Sequence, residues 1–409
     1  LILCLICRDY YAEKASEDHH FTYLPIKFGE SNSQCQTADV SARAARFQLY
    51  LNLIAGTLSA LVSPRLGRLS DLYGRTKTIA LCVFATAMGE AVVIVVAAWP
   101  EYMPVNVLLI GAFLDGLGGS FTCALALVHS YASDCTAPER RSVVFGYFHG
   151  ALFTGIAAGP FLAAYIIKQT GNPLYFFYLA LAFHLLFFLA ALLVIPESLS
   201  KERQRTAREE HRARPDKEST GLFSLRSLNP INLISPLSIL LPPVGKPSTL
   251  FPGRHGASPA LRRNIILLCA IDTAMFGVAI GASQVIIMYA EFMFGWGNVE
   301  SSIFVSVVNT VRVLNLFLVL PLVTRLFTKQ SRRAWAIPGS TKLDIVLIRL
   351  SVFLDLLGYI GYASAVHGSF MVLSGIITSL GGMGSPTLQS SLTKHVPASR
   401  VGQMLGATG

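Results

Sequence analysis

Apolar runs of about 20 residues follow one another along most of the chain, separated by short charged turns. They fall at roughly 47–66, 78–98, 105–131, 142–167 and a stretch ending at Ile195, and then at roughly 264–290, 300–323, 344–365 and 369–390. A run of that length crosses a hydrocarbon core of about 30 Å as a helix. Inside lipid a helix also satisfies its own backbone hydrogen bonds. Only 14% of the residues are charged and 53% are hydrophobic, with a mean hydropathy of +0.54. A soluble domain carries about 25% charge, so the chain reads as an all-α integral membrane protein.

The net charge of +10 raises the question of a nucleic-acid partner, and its location answers it. The stretch 197–263 holds twelve basic residues against six acidic ones. Most of the excess is thus one inter-helical loop, which suits cytoplasmic retention or anionic lipid heads rather than nucleic acid. Putting the loops at 65–77, 140–141, 197–263, 325–342 and 394–400 inside gathers 25 basic residues there, against six outside. The polar stretch from Arg8 to about Arg46, without a helical period, is then external. Cys7 at its edge and Cys35 within it fall on the external side, where a disulfide can form, though spacing alone does not decide it. Cys82, Cys123 and Cys269 sit in apolar runs as small packing residues. No metal-ligand spacing is present, no cofactor is implied, and no nucleophile with a paired base points to an enzyme.

The turn between the first two long runs is Gly67-Arg68-Leu69-Ser70-Asp71-Leu72-Tyr73-Gly74-Arg75-Thr76-Lys77. Its glycines permit a sharp bend and its cations place it inside. The pattern resembles the signature between helices two and three of the major facilitator superfamily. Tyr131-Ala132-Ser133-Asp134, Pro138-Glu139-Arg140-Arg141 and Pro196-Glu197-Ser198-Leu199 extend the likeness. They look like the branch of tetracycline-resistance-type and proton-coupled folate transporter-like carriers. The resemblance implies a fold of two six-helix bundles with alternating access to a central cavity. On that frame the chain divides into a first bundle at 1–196, a cytoplasmic central loop at 197–263 and a second bundle at 264–409, incomplete at both ends. Pro138-x-x-Arg141 and Pro397-x-x-Arg400 open equivalent helices of the two halves. The apolar but proline-broken stretch 222–250 is expected either along the inner membrane surface or as a loose loop.

Ionisable residues deep in apolar helices are functional suspects. Asp115, Asp272, Arg312, Asp355, Glu90 and His149 are the candidates for a substrate or proton pathway, with His184 beside them. A carboxylate in a dry cavity can alternate between protonated and charged forms, and Arg312 could hold an anion. The competing reading for each is a static ion pair or a hydrogen-bonded structural histidine. Gly67, Asp71, Gly74, Arg75 and Lys77 form a candidate cytoplasmic gate, in which Asp71 meets the N-terminus of a helix near Gly402 and feels its dipole. Gly155, Gly159 and Pro160 resemble a helix-five antiporter motif and suit close helix packing or gating; Ala163 and Ala164 stand where that motif ends in glycines. The family often has an arginine in helix four, where this chain has Ala112, so that proton route does not carry over. The expectation is a monomeric secondary transporter of a small organic solute, coupled to protons across the bilayer, with Asp115, Asp272 and Arg312 central in its cavity. The alternative is a membrane receptor or scaffold that retains the fold without transport.

Overall fold

The computed structural model describes residues 1–17, 22–26, 28, 32–35, 37–212, 235–246, 256–328 and 339–408. These residues are helical almost throughout. Six helical stretches among them are long and apolar enough to cross a bilayer: Arg75–Ala98, Val105–Cys135, Pro138–Thr170, Leu174–Leu193, Pro259–Phe294 and Val299–Phe327. The runs expected at 47–66, 344–365 and 369–390 fall outside that set. The third of these is broken at Gly382-Met383.

In chain order the helices are α1 Ile2–Glu17, α2 Ala38–Tyr73, α3 Arg75–Ala98, α4 Leu108–Leu117, α5 Ser120–Cys135, α6 Arg141–Thr170, α7 Leu174–Leu193 and α8 Lys201–Arg212. The second half has α9 Pro259–Phe294, α10 Asn298–Leu314, α11 Leu320–Thr328, α12 Lys342–Ala363, α13 Gly368–Gly381, α14 Gly384–Lys394 and α15 Val401–Thr408. α7 is apolar on every face and buries only Ala191, the pattern of a helix whose surroundings are lipid. Here the end of the molecule carrying the Gly67–Lys77 turn is called inner, following the distribution of basic residues.

The region expected to be irregular between Arg8 and Arg46 is largely helical. α1 continues to Glu17, and α2 begins at Ala38 behind a Thr37 cap that accepts from the Val40 N–H. The Ala-rich sequence after the cap favours helix. Arg43 pairs with Glu13 at 2.6 Å, and the Tyr10 hydroxyl meets Asp39 at 3.1 Å. Cys7 and Cys35 are bridged, with their Cα atoms 5.5 Å apart. At 1.5 Å per residue the 36 residues of α2 run about 54 Å, well beyond the hydrocarbon.

Two helices break at matching places. The span Val105–Cys135 is interrupted at Gly118-Gly119 between α4 and α5, and the run expected at 369–390 at Gly382-Met383 between α13 and α14. A break frees backbone carbonyls that lipid cannot satisfy. In each half a polar side chain from another helix reaches carbonyls at the break, where Gly119 O also accepts from the Cys123 N–H and Ser379 O from the Gly382 N–H. Ser59 of α2 donates to Gly119 O at 2.5 Å. Asn315, just after α10, donates to Ser379 O at 3.2 Å and Leu380 O at 2.7 Å. The two Pro-x-x-Arg segments also match, since Pro138–Arg140 and Ala398–Arg400 each form a single 3₁₀ turn leading into a helix.

Part of the central loop is built into the core. α8 is a charged helix on the inner face. Residues Ser235–Leu240 form a short 3₁₀ segment whose Ile239 is buried among Ala126 of α5, Ile265 and Cys269 of α9, Leu392 of α14, and Met404 and Leu405 of α15. Neither a membrane-surface strip nor a loose loop describes these residues; the rest of the expected stretch, 222–234 and 247–250, lies outside the described residues, as do 329–338 of the basic loop. An apolar residue inserted between helices of both halves stabilises their contact by about 1.5–3 kcal/mol. Ile239→Asp is therefore expected to loosen the inner end and raise maleimide labelling of buried Cys269 by roughly ten- to a hundredfold, read by peptide mass spectrometry. Unchanged labelling would place the segment outside the closure.

Candidate functional site

At the inner end a buried ionic cluster joins α2, α3, α5 and α15. Gly74 ends α2 at φ +113°, a region that favours glycine, and a Cβ there would strike the Glu197 carboxylate. That carboxylate caps α3, accepting from the backbone N–H of Arg75 at 2.8 Å and of Thr76 at 3.2 Å, and from the Thr76 hydroxyl at 2.9 Å. The cap aims Arg75 inward, where it is wholly buried. Its guanidinium meets Asp71 at 2.7 Å and Asp134 at 2.9 Å and donates to Ser70 Oγ at 2.7 Å. Asp71 in turn accepts from the N–H of Gly402 at 3.2 Å and of Gln403 at 2.9 Å, capping α15 from across the halves. A carboxylate at a helix N-terminus contributes about 0.3–1 kcal/mol, more when partly buried. Lys77 is exposed.

Above this cluster the helices touch through their backbones. A Cβ on Gly67 would fall on the Gly402 carbonyl oxygen, and one on Gly406 would lie 2.6 Å from the Ser63 carbonyl oxygen. Arg141 adds a tie between the halves, donating to Thr393 Oγ1 at 3.1 Å. Farther out, nothing among the described residues lies within 4 Å of a Cβ built on Gly56, Gly155, Gly159, Gly277 or Gly281, and Pro160 is exposed. The close helix contact expected at Gly155 and Gly159 is thus not made in this conformation, in which the inner end is closed and these glycines face open space.

The buried polar residues divide into two groups. Asp115 does not join Asp272 and Arg312. It turns toward α3, accepting from Thr86 Oγ1 at 2.9 Å, and the neighbouring Glu90 meets His184 Nδ1 of α7 at 2.7 Å. This group lies among α3, α4 and α7, because α4 presents Gly111 and Asp115 to Gly89 of α3. The expectation of Asp115 as a central cavity residue is therefore corrected, and Glu90 belongs to the same group.

The second group spans both halves. Arg312 occupies the last turn of α10, before a π-helical turn at Asn315–Val319. Such turns re-aim neighbouring side chains and recur at functional sites. Its guanidinium lies 4.7 Å from the centre of the Phe153 ring of α6, and its Nε is buried without a hydrogen-bond partner among the described residues. Asp355 of α12 approaches from the other side of the Gly381-Gly382 break but makes no ion pair with it within 4.0 Å among the described residues. Asp272 of α9 is buried, with the Gln389 side chain of α14 beside it and no cation paired to it among the described residues. His149 of α6 has Nδ1 3.1 Å from Phe145 O and stacks on His129 of α5, ring centres 5.0 Å apart.

His129, Gln389, Asp134 and Glu197 were not among the sequence candidates. Asp134 and Glu197 stood within recognisable motifs, so their charge was a usable signal. Nothing in the sequence around His129 or Gln389 announces them, since each becomes notable only through the helix opposite.

A family model for the Major Facilitator Superfamily matches residues 33–409. The chain belongs to the major facilitator superfamily. This is a family of membrane transport proteins rather than enzymes, and the apolar helices accord with a multi-pass membrane protein. An MFS-type transporter, avaJ of Aspergillus versicolor, is 28% identical over 412 residues, 99% of this chain and 74% of that one. An uncharacterized membrane protein of Schizosaccharomyces pombe is 25% identical over 329 residues, 78% of this chain but 48% of its own length. Among solved structures, the human organic anion transporter MFSD10 (TETRAN) superposes with a TM-score of 0.63 at 15% identity, covering 100% of this chain and 86% of that one. At that identity the likeness is one of fold.

Proposed function

We propose that the chain is a secondary transporter of a small organic anion, coupled to protons and working by alternating access. The carrying observation is Arg312. It lies where α6 of the first half meets α10 and α12 of the second, over an aromatic ring, with a buried Nε that no acceptor among the described residues satisfies. A buried donor left unmade costs about 1–3 kcal/mol. A carboxylate-bearing solute would satisfy it, and Phe153 offers an apolar wall. Asp355 is the balancing charge when no solute is bound. Asp272 is the proposed proton carrier: a buried carboxylate with no cation at hand is costly to keep charged.

The inner cluster is the proposed cytoplasmic gate. Asp71, Arg75, Asp134 and Glu197 hold α2, α3 and α15 in the closed arrangement, and a solute shifts the equilibrium only by binding the two arrangements unequally. The proposed division is two bundles, 1–196 and 264–409, joined by the central loop at 197–263. The likeness of the turn and of the helix-six exit favours the tetracycline-resistance-type and folate-type branch.

The test uses the full-length protein in proteoliposomes under an inward proton gradient, with internal pH followed during addition of pooled organic anions, cations or neutral solutes. An anion pool is expected to dissipate the gradient, and Asp272→Asn is expected to lower that solute-driven proton flux at least tenfold. Gradient-independent uptake would remove the proton from the mechanism, and flux driven by cations alone would remove the anion.

A further inference from the structure

We propose that residues Ser235–Leu240 form a removable plug in the inner mouth, and that the solute leaves inward only when this plug is withdrawn. The inference rests on the alternating-access reading above and adds to its charged gate a second, apolar closure.

The segment is seated deeply. Ile239 is 2% exposed and shares its core with Ala126 of α5, Ile265 and Cys269 of α9, Leu392 of α14, and Met404 and Leu405 of α15. Leu240 packs against the same core, and the segment also borders α2. α2 and α5 belong to the first half, and α9, α14 and α15 to the second. On α9, Asp272 follows Cys269 by three residues, which places it on the same face, about 4.5 Å farther from the inner end. Ile239 therefore lies on the inner side of Asp272, in the seam that parts when the inner end opens. Most of its partners are in the second half, so a segment that stayed seated during opening would still lie across the mouth.

The hold is of a kind that can be undone. Among the described residues no hydrogen bond or ion pair ties the segment to a helix; the Leu241 N–H donates to Ser238 O within its own turn. Burying one isoleucine side chain favours the seated form roughly ten- to 150-fold. Withdrawal strands no hydrogen-bond partner of the segment, whereas separating the charged cluster leaves its own groups unmade. The following residues supply a pivot. Val244 bridges to Gly256 and Ala257, beside the Ser258 cap of α9. Between Val244 and Ile239 the chain can span about 17 Å, enough for the plug to clear the helices. The tether keeps it near its seat at high effective concentration, so it reseats readily.

The test uses full-length protein in lipid. Ile239→Cys sets a thiol in the core that holds native Cys269, and oxidation or a short bis-maleimide ties the segment to α9, read by peptide mass spectrometry. The tie is expected to cut solute exchange at equal pH at least tenfold relative to the untied variant. Solute affinity should stay within about twofold, and mild reduction of the oxidised form should restore exchange. Spin labels follow the movement. A pair at Tyr73 and Leu326, both exposed and on different halves, reports the parting of the halves. A pair at exposed Ser238 and Leu326 reports the plug against the second half. Across the solute pools, both pairs are expected to gain a longer population together. Three results would each overturn the inference alone: a tied protein that exchanges solute at the untied rate, a thiol that neither reagent ties to Cys269, or a Ser238–Leu326 distance that holds while Tyr73–Leu326 lengthens. A wild-type protein that exchanges no solute, and whose Tyr73–Leu326 distance never lengthens, would instead overturn the alternating-access reading and the plug with it.

Discussion

Arg312→Ala is expected to abolish concentrative uptake of the anionic solute while leaving the protein folded. A charge-assisted hydrogen bond contributes about 1.5–3 kcal/mol, so affinity should fall roughly ten- to 150-fold. The loss should be deeper if the guanidinium also orients the solute. Removing the cation leaves Asp355 on the far side of the Gly381-Gly382 break without a counter-charge, which confounds binding with stability. The double variant Arg312→Ala with Asp355→Ala separates them. It should unfold in detergent within a few degrees of wild type and still fail to transport. Arg312→Lys should recover only part of the uptake, because an ammonium lacks the planar fork that meets a carboxylate twice. Solute uptake by the proteoliposomes decides it: wild-type rates in Arg312→Ala would remove the residue from the binding site.

Gly67→Val and Gly402→Val are each expected to reduce transport to background by preventing inner closure. A new side chain at Gly67 meets the Gly402 carbonyl, and one at Gly402 meets both Arg75 and the Gly67 carbonyl. Backbone on either side cannot yield as a flexible side chain does. Overpacking in a closed interface costs about 1–3 kcal/mol even when neighbours adjust, enough to reverse an equilibrium between arrangements of similar energy. Gly56→Val is the control, since a Cβ there meets nothing within 4 Å. Labels at Tyr73 and Leu326 should report a longer distance in the first two variants and the wild-type distance in the third. Normal turnover in Gly67→Val would mean that this contact does not form during transport.

The membrane-spanning helical fold was legible because length and apolar content alone dictate it. Polar breaks were harder. The runs at 105–131 and 369–390 looked continuous, yet they break at Gly118-Gly119 and Gly382-Met383, where Ser59 and Asn315 reach carbonyls from other helices. Depth was legible for Asp115 and Asp272, but direction was not. Both sit midway in apolar runs, yet one turns to Thr86 of α3 and the other toward Gln389 of α14. Which way a helix rotates is decided by its neighbours' small residues, such as Gly89 against Gly111, and not by its own periodicity. Ile239 escaped for a similar reason. In a proline-rich stretch, nothing local distinguishes an apolar side chain in a loop from one wedged between helices.

Where Gly67, Gly402 and Gly406 meet, two helices touch with no side chains between them. Such a contact has nothing to lengthen, shorten or recharge, so substitution can destroy it but cannot adjust it. Natural variation in how firmly this end shuts must then be written in the surrounding ring, at Asp71, Arg75, Asp134, Glu197 and Ile239. Relatives that cycle faster or slower are expected to differ in that ring and to share the bare backbone at its centre.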